Sequence, residues 1–249
     1  MRLITIPISH YCEKARWALD RAGLRYTEEG HAQLLHWRAT RPIGGKTVPV
    51  VVDGATVLID STDILRYADA RAPVDRKLYP TDPEQRKQVD DLEEQFDLKL
   101  GPHARRVAYH LLLPLGRKIV EPLRGHVPAW ELAAFQLTFP VIVGLIRKGL
   151  KINAEKSAQS QARVLAQFDD VAKRLEGHNY LVGDQFSAAD LTFAALATPL
   201  LAIAEVPVPL FPLAETPADY QALVAQLRAH PAGQFAQAMY SQHRNEGQR

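Results

Sequence analysis

The sequence has a single cysteine, Cys12, so no disulfide can form within the chain, and this usage suits a reducing compartment. Its charge is nearly balanced, with 30 Lys and Arg against 28 Asp and Glu, which excludes the basic stripe of a nucleic-acid-binding protein. No apolar run approaches the roughly 20 residues that cross a bilayer, and the first residues lack the order of a signal peptide. There is no glycine-rich phosphate loop, no CxxC pair and no histidine pair at metal-binding spacing. We therefore expect a cytoplasmic protein that has no metal and no nucleic-acid or membrane partner.

The 249 residues are 47% hydrophobic and 23% charged, a composition typical of a globular protein with a sizeable core. Residues 2–6 form an apolar run closed by Pro7, which predicts a buried strand. Helical periodicity follows from Cys12 and stops at Gly23, after which residues 24–27 are predicted as a second strand. The pattern thus begins β-α-β.

A hairpin is predicted over residues 47–59, because Asp53-Gly54 supplies the positive φ angles of a tight turn between two β-forming runs. A helix from Ser61 or Thr62 to about Ala72 follows, with apolar residues at helical spacing on one face. The first part of the chain is therefore predicted to be one small sheet with helices against it.

Beyond a proline-containing linker the sequence shows helical periodicity and no convincing strand. We predict an α/β region over residues 1–75, a linker over 76–84 and an all-helical bundle over 85–249.

The junction between the first strand and the first helix contains Ser9 and Cys12. The amides and the dipole of a helix start favour an anion such as a thiolate, and a Ser9 hydroxyl could donate to it and lower its pKa. The ordinary alternatives are that Ser9 caps the helix and that Cys12 packs as a small apolar residue.

Two further motifs stand at the ends of the hairpin. A cis bond between Val48 and Pro49 would leave the Val48 main chain free for an extended peptide ligand, whereas a trans proline would simply open the strand. Asp60 could meet an ammonium group and Ser61 a carboxylate, or either could cap the next helix.

In this order, the motifs resemble those of the glutathione transferase superfamily, most closely its serine-type theta, zeta and tau classes. The resemblance is carried by Ser9-x-x-Cys12-x-Lys14-x-Arg16, Thr47-Val48-Pro49-Val50, Asp60-Ser61, residues 183–190 with Ser187 and Asp190 as a buried helix cap, and His230-Pro231-Ala232-Gly233. The sequence departs from the family at His10, where many relatives have proline, at Asp60 in place of glutamate or glutamine, and in a long region over residues 101–153.

The resemblance implies a thioredoxin-like βαβ-ββα domain followed by a helical domain, with glutathione as co-substrate, no metal, and a homodimer. It implies that Ser9 activates the glutathione thiol, while Val48, after a cis bond to Pro49, pairs with the cysteinyl main chain. The other glutathione-binding positions it implies are Lys46, Thr47, Asp60 and Ser61. A solvated lysine is the alternative for Lys46.

The implied activity is conjugation of glutathione to a small hydrophobic electrophile, a detoxification reaction. Two alternatives stay open: thiol transfer or reduction through Cys12, and a binding module that has kept the fold without turnover. The family's second-substrate pocket is walled by the 101–153 region, which makes its aromatic and histidine side chains candidate lining residues: Tyr109, His110, Trp130, Phe135 and Phe139.

Overall fold

A four-stranded mixed sheet organises the first part of the chain in the computed structural model, which describes residues 1–246. Its strands are β1 (Arg2–Thr5), β2 (Thr27–Gly30), β3 (Val50–Asp53) and β4 (Thr56–Leu58), in the spatial order β2-β1-β3-β4. β1 pairs with β2 in parallel, while the β1–β3 and β3–β4 pairs are antiparallel. The predicted strand, crossover and hairpin are therefore confirmed.

The second strand lies further along the chain than predicted. Residues 22–24 close the first helix instead, since Gly23 has φ +69° and the Leu24 amide donates to the Leu19 carbonyl at 3.0 Å. Pairing with β1 begins at Thr27, whose amide donates to Met1. The prediction over 24–27 was wrong because the helix cap uses the first of these residues.

Three helices pack on or beside the sheet: α1 (His10–Arg21), the single turn α2 (Trp37–Thr40) and α3 (Ser61–Arg71). α3 buries Ile64 and Leu65, as its periodicity predicted. Sequence periodicity missed α2, because one turn is too short to show a repeat.

The rest of the described chain is helical and contains no strand, which confirms the predicted fold class. Its α-helices are α4 (Pro83–Lys99), α5 (Gly101–Leu112), α6 (Ala129–Leu137), α7 (Phe139–Gly149), α8 (Ala154–Arg174), α9 (Ala188–Leu201), α10 (Ala218–Ala229) and α11 (Pro231–His243). Between α5 and α6 the chain forms tight 3-10 turns over Leu113–Leu123, broken at Gly116.

The main core surrounds α9, every residue of which is buried. A smaller second core fills the space between the segment that follows β2 and the long region over residues 101–153. Its buried members are Ala32, Val120, Leu123, Phe135, Ile142 and Ile146. This region therefore folds back against the sheet-containing part of the chain and encloses space between them.

Gly101 sets the approach of α5 to α1. A Cβ at this position would collide with the Tyr11 hydroxyl, which donates to the Asp97 carbonyl at 2.7 Å. Glycine therefore allows the start of α5 to lie directly against the first turn of α1.

Candidate active site

The first turn of α1 presents Ser9 at its N-cap position. The Ser9 amide donates to the Ile6 carbonyl at 2.9 Å, and the Ser9 carbonyl accepts from the Glu13 amide at 2.9 Å. The hydroxyl makes no capping bond to the helix amides. Capping is therefore not what holds this side chain, and its oxygen stays at the positive end of the helix dipole.

Cys12 lies on the same helical turn, close to the Ser9 side chain, and is fully buried. Burial raises the pKa of its thiol to about 11, against smaller lowering contributions from Arg16, the Ile6 main chain and the Ser9 side chain. A thiol with this pKa is almost entirely protonated at neutral pH and is a poor nucleophile. The sulfur therefore behaves as a packed apolar group.

We expect Cys12 in the native protein to react with 5,5′-dithiobis(2-nitrobenzoate) at pH 8 orders of magnitude more slowly than in the unfolded chain, because it is both inaccessible and protonated. One thiol per chain should appear on adding denaturant, with the released chromophore followed by absorbance. Stoichiometric modification of the native protein within minutes would contradict the buried placement.

The Val48–Pro49 peptide bond is cis, as predicted. Pro49 is buried and Val48 half-buried, and β3 begins at the next residue. Within residues 1–246, neither main-chain group of Val48 has a hydrogen-bond partner. These groups are therefore available to an extended ligand at the end of the sheet.

The start of α3 presents the other predicted pair. Asp60 is the N-cap and accepts from the Thr62 amide at 2.8 Å through Oδ1, so the capping alternative holds for this residue. Ser61, the first helical residue, is 7% exposed and makes no side-chain hydrogen bond within the described chain. One oxygen of the Asp60 carboxylate and the Ser61 hydroxyl thus remain for a ligand.

Lys46 and Thr47 are both exposed in the loop before Val48. The Lys46 carbonyl accepts from the Trp37 indole at 3.2 Å, which ties this loop to α2. The Lys46 ammonium forms no ion pair with the described residues, a placement that suits either a solvated lysine or a contact with a ligand carboxylate.

A buried ionic cluster fixes α1 against α3 and α4. The ammonium of Lys14, fully buried, lies 2.9 Å from Glu93 Oε1 and 2.7 Å from Asp97 Oδ2. Thr62 Oγ1 donates to Glu93 at 2.9 Å, and Tyr79 donates to the same carboxylate at 2.7 Å. Each of these side chains makes at least one hydrogen bond, although Asp97 Oδ1 is buried without a partner among the described residues. The cluster therefore sets the relative position of the helix starts that carry Ser9 and Ser61.

A second ionic network holds the other side of α1. The Arg16 guanidinium contacts both carboxylate oxygens of Glu28 on β2, the shorter distance being 2.6 Å. Glu13 lies 3.4 Å from Arg16 and also accepts from Arg244 Nε at 2.7 Å. The family-like Lys14 and Arg16 therefore act structurally, by holding α1 in place.

A mostly apolar cavity of about 780 Å³, here called the main cavity, opens beside Ser9. Trp37 and Leu34 line one side, and Tyr109 and Phe211 line others. Of the candidate lining side chains, Tyr109 lines this cavity and the other four do not. His110 lies at a separate surface pocket, Trp130 is 53% exposed under Arg38, and Phe135 packs with Phe139 in the second core.

Several lining residues had no signal in the sequence, among them His36, Arg105, Lys148 and Leu210. They come from the N-cap of α2, from α5, from α7 and from the loop before α10, and only tertiary folding brings them together. A smaller cavity of about 450 Å³ adjoins the first and shares Ser9 with it.

The predicted helix cap at Ser187 and Asp190 is confirmed at the start of α9. Asp190 is fully buried and accepts from the amides of Leu181 and Ser187, each at 2.8 Å, and from Ser187 Oγ at 2.7 Å. Burial raises the pKa of Asp190 to about 6, although these hydrogen bonds act in the opposite direction. The cap ties the loop before α9 to the central core helix.

Across residues 1–246, no single helix is both long and apolar enough to cross a membrane. The adjoining α6 and α7 reach that length only as a pair, and they are bent by 83°. In the same range no group of three or more His, Cys, Asp or Glu is arranged to hold a metal ion.

Two family models match the chain. The glutathione S-transferase N-terminal domain matches residues 3–83, and the glutathione S-transferase C-terminal domain matches residues 133–224. Together they cover more than half of the chain. The first match contains the sheet, Ser9, Val48 and Ser61, and the second contains α9 with its cap.

Among curated proteins, mouse glutathione S-transferase theta-2 is 30% identical over 145 residues, which are 58% of this chain. The match spans about half of the mouse protein, 47% of its length.

Solved structures share the fold over nearly the whole chain. The theta-class glutathione S-transferase of Xanthomonas axonopodis pv. citri with glutathione bound is 23% identical, with a TM-score of 0.56 and 94% of each chain covered. Poplar glutathione transferase F1 is 16% identical with a TM-score of 0.63, covering 99% of this chain and 94% of its own. With the two family models, these likenesses lead to one conclusion: the chain belongs to the glutathione S-transferase superfamily.

Proposed function

We propose that this protein is an enzyme that conjugates glutathione to a small, largely apolar electrophile, with Ser9 stabilising the thiolate. The observation that carries the proposal is the position of Ser9: its hydroxyl makes no helix-capping bond, and the residue lies at the N-terminus of α1 and lines the main cavity. Family membership and the glutathione bound to the Xanthomonas relative support glutathione as the co-substrate, with no metal required.

Glutathione would lie along the edge formed by the two helix starts and the cis-proline loop. The unpaired main-chain groups of Val48, positioned by Pro49, would pair with the cysteinyl unit. The free Asp60 oxygen would meet the γ-glutamyl ammonium, and Ser61 would meet its carboxylate at the start of α3. Lys46 and Thr47 would lie beside the glycyl end.

In catalysis the protein would then orient glutathione towards the electrophile and stabilise the glutathione thiolate. A cysteine thiol ionises near pH 8.5, so a hydroxyl donor and the α1 dipole would raise the thiolate fraction at neutral pH. The thiolate attacks the electrophile held in the main cavity, forming a carbon–sulfur bond while the leaving group departs with its electron pair. Holding the two reactants in contact contributes the rest of the rate.

Thiol transfer through Cys12 is not favoured, because that sulfur is buried and its thiol pKa is raised to about 11. A binding module without turnover remains the alternative from a different class of protein, and only a turnover measurement separates it from the enzyme.

The test has two readouts on the purified full chain. We expect retention on immobilised glutathione with elution by free glutathione, and conjugation of 1-chloro-2,4-dinitrobenzene followed by absorbance. Retention without turnover of this or other aryl halides would favour the binding module. Absence of both would overturn the proposal.

We also propose a cytoplasmic detoxification role and a homodimer, and a division of the chain at residues 1–75, 76–84 and 85–249. Family membership supports each of these proposals. Light scattering on micromolar protein should give twice the 27.8 kDa mass of the chain, and a monomer mass would exclude the dimer.

A further inference from the structure

The ionised side chains that line the main cavity are all positively charged. Its lining residues include two cations, Arg105 and Lys148, and no Asp or Glu. Two histidines also line it, but burial lowers the pKa of His10 to about 3 and that of His36 to about 4. Both imidazoles are therefore neutral near pH 7, and the cavity wall carries only positive charge.

Unlike the buried Arg16, the half-buried Arg105 has no carboxylate partner among the described residues. Its Nε is buried with no hydrogen-bond partner, and within residues 1–246 no carboxylate lies within 4 Å of its guanidinium. By contrast, Arg16 is paired with Glu28, and Arg106, the next residue on α5, donates to the Leu150 carbonyl at 2.7 Å. Leaving a buried charged donor unpaired is costly, which indicates a group that is satisfied when a ligand is present.

Other unpartnered polar atoms occur at the same cavity. Gln33 Oε1 and His36 Nδ1 are also buried without a hydrogen-bond partner among the described residues, and both residues line the main cavity with Arg105. Three of the eight buried polar atoms that lack a partner in the described chain therefore belong to the lining of one cavity of about 780 Å³ that is otherwise mostly apolar. This pattern is typical of a ligand site, where a few polar groups orient an apolar molecule.

We propose that the electrophile carries an anionic group, a carboxylate or a sulfonate, that binds Arg105 while its apolar body fills the main cavity. The inference rests on the proposed function and narrows its substrate class. A guanidinium fork suits a carboxylate or sulfonate because it donates two parallel hydrogen bonds. Lys148 is exposed at the rim and contributes a weaker, solvent-screened attraction.

A matched pair of aryl chlorides tests this preference during turnover: 4-chloro-3-nitrobenzoate and 4-chloro-3-nitrobenzamide. In both, the thiolate attacks the chlorine-bearing carbon, the carbon–sulfur bond forms, and chloride leaves with the electron pair of the broken carbon–chlorine bond. The carboxylate or amide takes no part in the bond changes. Intrinsic reactivity cancels when the ratio of kcat/KM for the two substrates is compared between parent and variant.

We expect Arg105→Gln to lower the benzoate-to-benzamide ratio about tenfold or more, the effect of losing a charge-assisted contact. Arg105→Lys should give an intermediate ratio. Arg147→Gln is the matched control, because it removes the same charge from an exposed position on α7 outside the cavity lining, and it should leave the ratio unchanged. An equal loss for both substrates in Arg105→Gln would overturn the proposal, since it would place Arg105 on the glutathione thiolate.

A binding measurement tests the proposed anion site without requiring turnover. Without glutathione, 8-anilinonaphthalene-1-sulfonate and N-phenyl-1-naphthylamine differ by a sulfonate on a shared apolar body. Fluorescence titration should show about tenfold weaker binding of the sulfonate in Arg105→Gln and little change for the neutral probe, which also reports an intact cavity. If no aryl halide is turned over but this selectivity is found, the proposed function fails and the anion site stands. Unchanged sulfonate binding in a variant that binds the neutral probe would overturn the site.

Discussion

Replacing Ser9 with alanine should lower kcat/KM for glutathione conjugation by about 10²-fold near pH 7, the usual effect of removing one donor to a catalytic anion. The loss should shrink as the pH rises toward 9, because the unassisted glutathione thiol then ionises by itself. Glutathione affinity should change less, since the Val48 main chain, Asp60 and Ser61 supply separate contacts. The measurement is a pH–rate profile of the parent and the variant, with the ultraviolet absorbance of the bound thiolate titrated in parallel.

Two variants control this experiment. Cys12→Ala changes a buried side chain on the same helical turn and should leave the profile nearly unchanged, because that thiol does not face the cavity as a nucleophile. Ser9→Thr keeps the hydroxyl and should restore most of the activity at neutral pH. If Cys12→Ala abolishes turnover while Ser9→Ala does not, the thiolate mechanism is wrong and exchange through Cys12 replaces it.

Replacing Asp190 with alanine should lower the free energy of unfolding by about 3 kcal/mol, because it leaves the buried amides of Leu181 and Ser187 without an acceptor. For a chain of this size, that loss corresponds to a melting temperature roughly 10 °C lower. Denaturant titration and thermal melts measure it. Asp184→Ala, an exposed carboxylate removed from the same loop, is the control and should fall within about 0.5 kcal/mol of the parent. Equal stability of Asp190→Ala and the parent would contradict the cap.

The stability gap between the parent and Asp190→Ala should also depend on pH. With its pKa raised to about 6 by burial, Asp190 keeps a proton in the native state that the unfolded chain releases near pH 4. Its contribution to stability is therefore complete below pH 4 and declines as the pH rises through 6. We expect a wider gap at pH 5 than at pH 7.5, and a gap that widens toward alkaline pH would show that hydrogen bonding outweighs burial at this carboxylate.

Local signals in the sequence predicted the sheet and the cis bond before Pro49, and they indicated the proposed glutathione-binding edge, because their causes are local. The Asp53-Gly54 turn fixes the hairpin, and Ser9, Val48 and Ser61 stand at element ends that a period change or a proline marks. The second strand was misplaced because the turn that closes α1 includes Leu24. Strand propensity alone does not distinguish a residue in such a turn from the first residue of a strand.

The second-substrate wall could not be predicted in the same way. Arg105 and Arg106 are adjacent and look alike in the sequence. Arg106 donates to the Leu150 carbonyl at the end of α7 and to Ser160 on α8, whereas Arg105 lines the main cavity and its Nε has no partner within residues 1–246. Likewise, the aromatic pair Phe135 and Phe139 builds a second core where the family pattern indicated a pocket wall. Which side chain faces a cavity depends on contacts between distant segments, and a single sequence does not contain them in readable form.

The ionic networks around α1 bear on how the chain folds as it is synthesised. The carboxylates that pair with Lys14 belong to α4. Glu13 accepts a hydrogen bond from Arg244, which lies 231 residues later in the chain. A fragment ending at residue 75 would lack these counter-ions and would expose to water the face of α1 that α9 covers in the whole chain. We therefore expect that the sheet-containing part does not fold independently, and that a ribosome must synthesise most of the chain before the first helix acquires its final electrostatic partners.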